Sequence, residues 1–215
     1  SLVGSEMCIR DRPDSPCNKR EPNSGCGAKA GLHQNLAILG TSEQCIATHP
    51  SDMAVAMRLL DAVIVIQQAD GQTRQVPIAE FYRLPEQTPH IETCLNLGDL
   101  ITHIILPPPL KGVHSYDKVR DRASYAFALV SVAAVIEHDN DTLTNVRLAF
   151  GGIGSQPWRN DEIEKILIGS TGDAVSIELA VATLFKDAKT DEQTEYKTVL
   201  VPVSYTHLRA HETPE

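Results

Sequence analysis

Pro107, Pro108 and Pro109 stand together near the middle of the 215-residue chain. Consecutive prolines offer no amide N–H and clash with a preceding helical turn, so neither a helix nor a central strand runs through them. The triplet is the chain's best boundary, and each regular element must lie on one side of it. Before it, His49-Pro50-Ser51-Asp52 reads as a helix start capped by Ser51 or Asp52, with Met53, Ala54, Ala56, Met57 and Leu60 near one face. Residues 62–67 (AVIVIQ) read as a strand, Asp70-Gly71 as a hairpin turn, residues 73–78 as its return and residues 100–106 (LITHIIL) as a third strand.

After the triplet, residues 115–120 read as a strand. Residues 125–137 and 144–150 read as a long hairpin closed by Asp139-Asn140-Asp141. Helices are predicted over 160–168, with Asp161 near the start and Gly169 as the stop, and over 173–188, with Ile177, Ala180, Val181 and Leu184 spaced for burial. Strands followed by helices, without βαβ alternation, make an α+β class.

Lys+Arg 19 against Asp+Glu 28 leaves a net charge of −9, and hydrophobic residues make up 42%. That is a globular composition with enough chain for a real core. The acidic balance argues against a nucleic-acid surface, which needs a basic stripe. The most apolar run, 123–136, is shorter than the roughly 18 residues a membrane-spanning helix needs. The ends, SLVGSEMCIRDR and SYTHLRAHETPE, have neither periodicity nor the pattern of a signal peptide. They resemble translated sequencing-adapter read-through. Residues 1–12 and 204–215 are read as non-native, the chain as a fragment, and the compartment, bacterial cytoplasm or periplasm, is left open.

Residues 13–45 are rich in Pro, Gly, Ser and Asn with no apolar period, and a loop of this length needs something to organise it. Cys17, Cys26 and Cys45 lie in or at the end of it, spaced C-x8-C-x18-C, with Cys8 a further x8 upstream. By spacing alone these cysteines suit disulfides, a metal or cluster site, or no special role. The tight C-x2–4-C pair usual for zinc is absent. Cys94, isolated beside a strand, reads as a buried free thiol.

Three blocks are more specific: 17–27 (CNKREPNSGCG), 39–56 (LGTSEQCIATHPSDMAVA) and 118–134 (KVRDRASYAFALVSVAA). Together they resemble the FAD-binding middle subunit of the molybdenum hydroxylases, the xanthine dehydrogenase family. The branch they are most similar to is the bacterial aldehyde oxidoreductase subunit with an extra [4Fe-4S] cluster in a loop of its flavin domain. The resemblance covers roughly residues 13–203. It implies the C-terminal part of a PCMH-type FAD-binding domain over 13–109, then a CO dehydrogenase flavoprotein C-terminal-like α+β domain over 113–203. It further implies an electron-transfer role between [2Fe-2S] clusters of a small partner subunit and an external acceptor. A large partner subunit with the molybdenum cofactor would carry the organic substrate, so no residue here is expected to be catalytic and this length alone is expected to be inactive.

Residue by residue, the resemblance puts Cys17, Cys26 and Cys45 at three of the four cluster ligands. Cys8 stands near the fourth spacing but lacks the family's neighbours there. Asp52 matches a carboxylate that hydrogen-bonds the ribityl chain of FAD or its neighbours; its plain alternative is a helix cap. Thr48 shares that turn and is expected to contact the flavin. Ile101 matches an apolar residue whose backbone meets the isoalloxazine ring, and is otherwise a core strand residue. Lys118 matches a cation at the ring's pyrimidine edge, where it would stabilise the anionic reduced flavin; the alternative is an exposed strand lysine. Trp158, in the QPWR block, reads as a packing or interface anchor, and His49 as a local turn residue. The family's Gly-rich pyrophosphate turn lies upstream; Gly151-Gly152-Ile153-Gly154 has the wrong spacing and context. Weak FAD binding by this length alone is the expectation. The rival readings are a scaffold domain that has lost FAD, and a zinc-bound loop completed by His33 or His49.

Overall fold

A computed structural model describes residues 14–202. Cys8 and the two ends read as non-native lie outside the described residues.

Helix α1 (Asp52–Leu59) leads into β1 (Val63–Gln67), β2 (Thr73–Pro77), the short helix α2 (Ile78–Phe81) and β3 (Leu100–Ile105). These strands form an antiparallel sheet in the order β2-β1-β3. Beyond the prolines, β4 (Val113–Val119), β5 (Val130–Asp139) and β6 (Thr142–Gly151) form a second antiparallel sheet, and helices α3 (Asp161–Leu167) and α4 (Ala174–Leu184) follow. Residues 196–202 are helical.

The second sheet holds the larger core. Val130, Val132, Ala134 and Ile136 alternate on one face of β5 and meet Val146, Leu148 and Phe150 of β6. Ile163, Leu167, Ile177, Ala180 and Leu184 of α3 and α4 cover that face. The other face of the same strands, Ala133, Val135 and Ala149, receives Val55 and Leu59 of α1. Met57 packs instead against the first sheet's core of Ile64, Ile66, Val76 and Phe81. Helix α1 is therefore wedged between the two sheets.

Several expectations need correction. The buried residues of α1 are Ala54, Val55 and Leu59, while Met53 is exposed, because a helix between two sheets has no single apolar stripe. Strand β5 begins at Val130 and not at residue 125: Tyr125 has a φ of 52° and is exposed, a backbone that cannot lie in a strand. Helix α4 starts at Ala174 and ends at Leu184, with Asp173 accepting from the Val175 and Ser176 amides as its cap. The loop 13–45 is only partly open. Leu36, Ala37, Ile38 and Leu39 are buried, and the amides of Ile38 and Leu39 both donate to the Ile153 carbonyl at 2.9 Å. The core thus crosses the proline triplet.

Candidate functional site

Ser51 and Asp52 both have side chains that cap helices, and the structure separates their tasks. Ser51 is the cap, its hydroxyl accepting from the Ala54 amide at 3.2 Å. Asp52, read above as a possible cap, is released and faces β4. Its Oδ2 accepts from Lys118 Nζ at 2.7 Å and its Oδ1 from the Tyr116 hydroxyl at 2.9 Å. Tyr116 and Lys118 are two apart on β4 and so share a face. The Tyr116 hydroxyl also lies 3.1 Å from Ser131 Oγ on β5, which pairs with Lys118 in register.

The opposite neighbour of Ser131 is Gly151. A Cβ there would stand 2.4 Å from Ser131 Oγ and 2.7 Å from a Val55 methyl. Glycine lets α1 approach the sheet closely enough for Asp52 to reach Tyr116. Gly152 and Gly154 are packing positions too, against the Leu129 carbonyl and the Trp158 ring. Trp158 pairs its backbone with Phe150 and is packed against the larger core, which is the packing half of its expected role. Burial holds the Tyr116 phenol above its ordinary range, opposed by the Ser131 hydrogen bond and reinforced by the Asp52 charge, so it stays a protonated donor.

The other expected flavin residues stand differently. The Thr48 hydroxyl donates to the Asn35 carbonyl at 3.0 Å and is committed to holding two chain segments together. Ile101 is 41% exposed on β3, a strand with no fully buried residue; the core placement drawn from its apolar run is wrong, because β3 is an edge strand paired with β1 whose Ile104, and not Ile101, packs against the first sheet's core. Tyr116 and Ser131 escaped sequence reasoning. The period-2 spacing of Tyr116 from Lys118 was the available signal for the first.

A second group of residues singled out from the sequence lies in the loop before Leu36 and at its far end. Cys17 and Cys26 form an isolated antiparallel bridge, strengthened by Gly27 N–H to Pro16 O at 2.8 Å and Cys17 N–H to Ser24 Oγ at 3.0 Å. Cys45 is buried at the other end of the loop. Its amide donates to Ser42 Oγ at 3.2 Å. Asn18, beside Cys17, donates to the Gln44 carbonyl at 2.8 Å and so draws the Cys45 segment onto the first two. Cys17 and Cys26 are free thiols, as is Cys94, which is half-buried rather than buried and lies 3.8 Å from Arg74 Nη1.

Among the described residues no three His, Cys, Asp or Glu side chains gather where one metal ion could sit. Of the two histidines proposed for zinc, His33 is hydrogen-bonded through both ring nitrogens, whereas the buried His49 Nδ1 has no hydrogen-bond partner among the described residues. His33 Nε2 lies 2.5 Å from Asp191 Oδ2, and its Nδ1 2.9 Å from the Gly31 carbonyl. His49 packs edge-on against Tyr82 with centroids 4.7 Å apart, and burial, helped by Lys19, pushes its pKa down to about 4.

Residues 30–109 match the family model of the FAD binding domain in molybdopterin dehydrogenase, and residues 114–205 that of the CO dehydrogenase flavoprotein C-terminal domain. The chain belongs to this flavoprotein family. It is 49% identical over 187 residues to the aldehyde oxidoreductase FAD-binding subunit PaoB of Escherichia coli (strain K12), covering 87% of this chain and 56% of PaoB. It is 37% identical over 120 residues to the glyceraldehyde dehydrogenase medium chain of Sulfolobus acidocaldarius, covering 55% of this chain and 40% of that one. The fold matches reconstituted CO dehydrogenase from Oligotropha carboxidovorans with a TM-score of 0.62 at 21% identity, over 84% of this chain and 58% of that one. The chain thus spans about half the length of the curated relatives it matches. In this flavoprotein the polar cluster falls on the seam between the two matched regions. Asp52 comes from the first, and Tyr116, Lys118 and Ser131 come from the second.

Proposed function

We propose that the chain is the FAD- and [4Fe-4S]-binding part of an electron-transfer subunit in a molybdenum-hydroxylase oxidoreductase of the aldehyde oxidoreductase and xanthine dehydrogenase kind. Its partners would be a large subunit with the molybdenum cofactor, which oxidises the aldehyde or N-heterocycle, and a small subunit with [2Fe-2S] clusters. Electrons would leave for an external acceptor. The domain division is 13–109 and 113–203. The observation that carries this reading is the Asp52–Tyr116–Lys118 cluster, built across the seam of the two family domains, where ligands commonly bind.

The residues fit the flavin. A carboxylate has about four lone-pair sites, and Asp52 commits two, leaving capacity for the hydroxyls of a ribityl chain. Lys118 Nζ commits one of its three protons to Asp52 and keeps the others to face a ring edge. Its fixed positive charge would lie where a reduced ring gains negative charge. Ile101 offers an exposed apolar strand surface to a ring face. With its hydroxyl spent on Asn35, Thr48 contributes through its backbone. Bound FAD would supply the exchange between one- and two-electron carriers.

Cys17, Cys26 and Cys45 are our ligands for the [4Fe-4S] cluster, and Cys8 is the candidate fourth. The support is three cysteines whose loop segments are drawn together by the Cys17–Cys26 bridge and the Asn18–Gln44 hydrogen bond. A four-iron cube binds thiolates at separate corners and does not ask them to meet at one point. The experiment is purification of the full-length subunit with its partners. Flavin absorption, and iron with acid-labile sulfide beyond the partner's clusters, are expected. In Asp52→Asn, losing a charged acceptor of about 1.5–3 kcal/mol weakens flavin binding by roughly 10- to 100-fold. A wild-type complex without flavin overturns the function; zinc, or no metal, in the subunit overturns the cluster.

A further inference from the structure

We propose that Asn18 is the residue that positions the three cysteine loops for the cluster. The inference rests on the cluster reading above and adds the residue that makes such a site possible before any metal arrives. A structureless Pro/Gly loop cannot hold thiols nine and nineteen positions apart in one place by chain stiffness. Something buried must tie the segments together, and Asn18 is one of few buried polar residues here, 4% exposed.

Its side chain makes three bonds, and each ends beside a cysteine. Asn18 itself follows Cys17. Its Oδ1 accepts from the Gly25 amide at 2.9 Å, the residue before Cys26. Its Nδ2 donates to the Gln44 carbonyl at 2.8 Å and to Gln44 Oε1 at 2.9 Å, the residue before Cys45. One carboxamide therefore fixes all three thiol-bearing backbones at once. It needs an acceptor on one arm and a two-proton donor on the other, and only an amide side chain provides both. Asp would present oxygen to the two Gln44 oxygens; Leu or Ala would leave the Gly25 amide and the Gln44 carbonyl without these partners. Gly25, with a φ of 100°, supplies the backbone turn that aims its amide at Asn18.

The test uses the full-length subunit with its partners, carrying Asn18→Asp, and compares it with Cys26→Ser. Asn18→Asp is isosteric and keeps the bond from Gly25. Losing an outer partner of a metal ligand typically costs on the order of 10- to 100-fold in metal affinity. The expected result is at least a roughly tenfold faster loss of the subunit's cluster iron to a chelator, and an altered cluster EPR signal, with flavin content and melting temperature close to those of Cys26→Ser. Gln44→Met, which removes one of the two acceptors, should lie between wild type and Asn18→Asp. Unchanged iron retention and EPR signal in Asn18→Asp overturn the proposal while leaving the cluster intact. A melting temperature far below that of Cys26→Ser, with flavin lost as well, overturns it in favour of a general folding role. A wild-type subunit without iron and sulfide overturns the cluster reading and this inference together.

Discussion

Lys197 is fully buried in the helical segment 196–202, with Nζ 2.8 Å from the Leu36 carbonyl and 2.5 Å from the Gly152 carbonyl. A neutral amine has two N–H groups, which match these two carbonyls. An ammonium would bring a third proton into this buried site. Burial accordingly pushes the pKa from 10.5 down to about 7. Between those values the unfolded chain holds a proton that the folded chain does not, so stability rises with pH at about 1.4 kcal/mol per pH unit. Below pH 7 both states are charged and this contribution is flat. In Lys197→Met the slope vanishes and the two carbonyls lose their donor, at about 1–3 kcal/mol each. The gap between wild type and variant should therefore widen by about 2 kcal/mol from pH 7 to pH 9. Urea unfolding at a series of pH values measures this directly, followed through Trp158, the single tryptophan of the sequence. A gap of equal size at pH 7 and pH 9 would show that the lysine stays charged in the fold and would refute the argument.

Arg159 holds Glu164 by two bonds of 2.7 and 3.0 Å and reaches Asp61 at 2.9 Å, while the nearly buried Glu164 also accepts from the Leu148 amide. Arg159→Leu strands that carboxylate and should destabilise by about 3–5 kcal/mol; a thermal melt within a degree of wild type would contradict this. Ser51→Ala should cost about 1 kcal/mol of stability and spare flavin content, whereas Asp52→Asn should do the reverse, so equal effects in both assays would mean that the two residues share the cap. Gly152→Ala forces a φ of 76° on alanine and puts its Cβ 2.5 Å from the Leu129 carbonyl, so a loss of at least about 1–3 kcal/mol is expected in chemical denaturation.

What the sequence made legible was what short-range pattern decides. The short, near-continuous apolar runs in 62–67 and 130–136 mark strands because a strand covered on both faces is apolar throughout, and the proline triplet separates the two sheets. Asn160 and Asp173 cap their helices from positions visible in the chain. What stayed hidden depends on partners far away in sequence. Nothing local says that Lys197 is buried, because its acceptors are Leu36 and Gly152. The polar composition of 13–45 concealed Leu36–Leu39, whose burial is created by the Ile153 segment beside them. Ile101 misled because an apolar run names no face, and only the pairing of β3 with β1 leaves it exposed. The candidate site turns on the same point. Serine and aspartate cap helices about equally well, so the Ser51-Asp52 pair cannot say which of them is spent there. Strand β4 decides it from more than sixty residues away, by presenting Tyr116 and Lys118 to the carboxylate and leaving the hydroxyl to the helix.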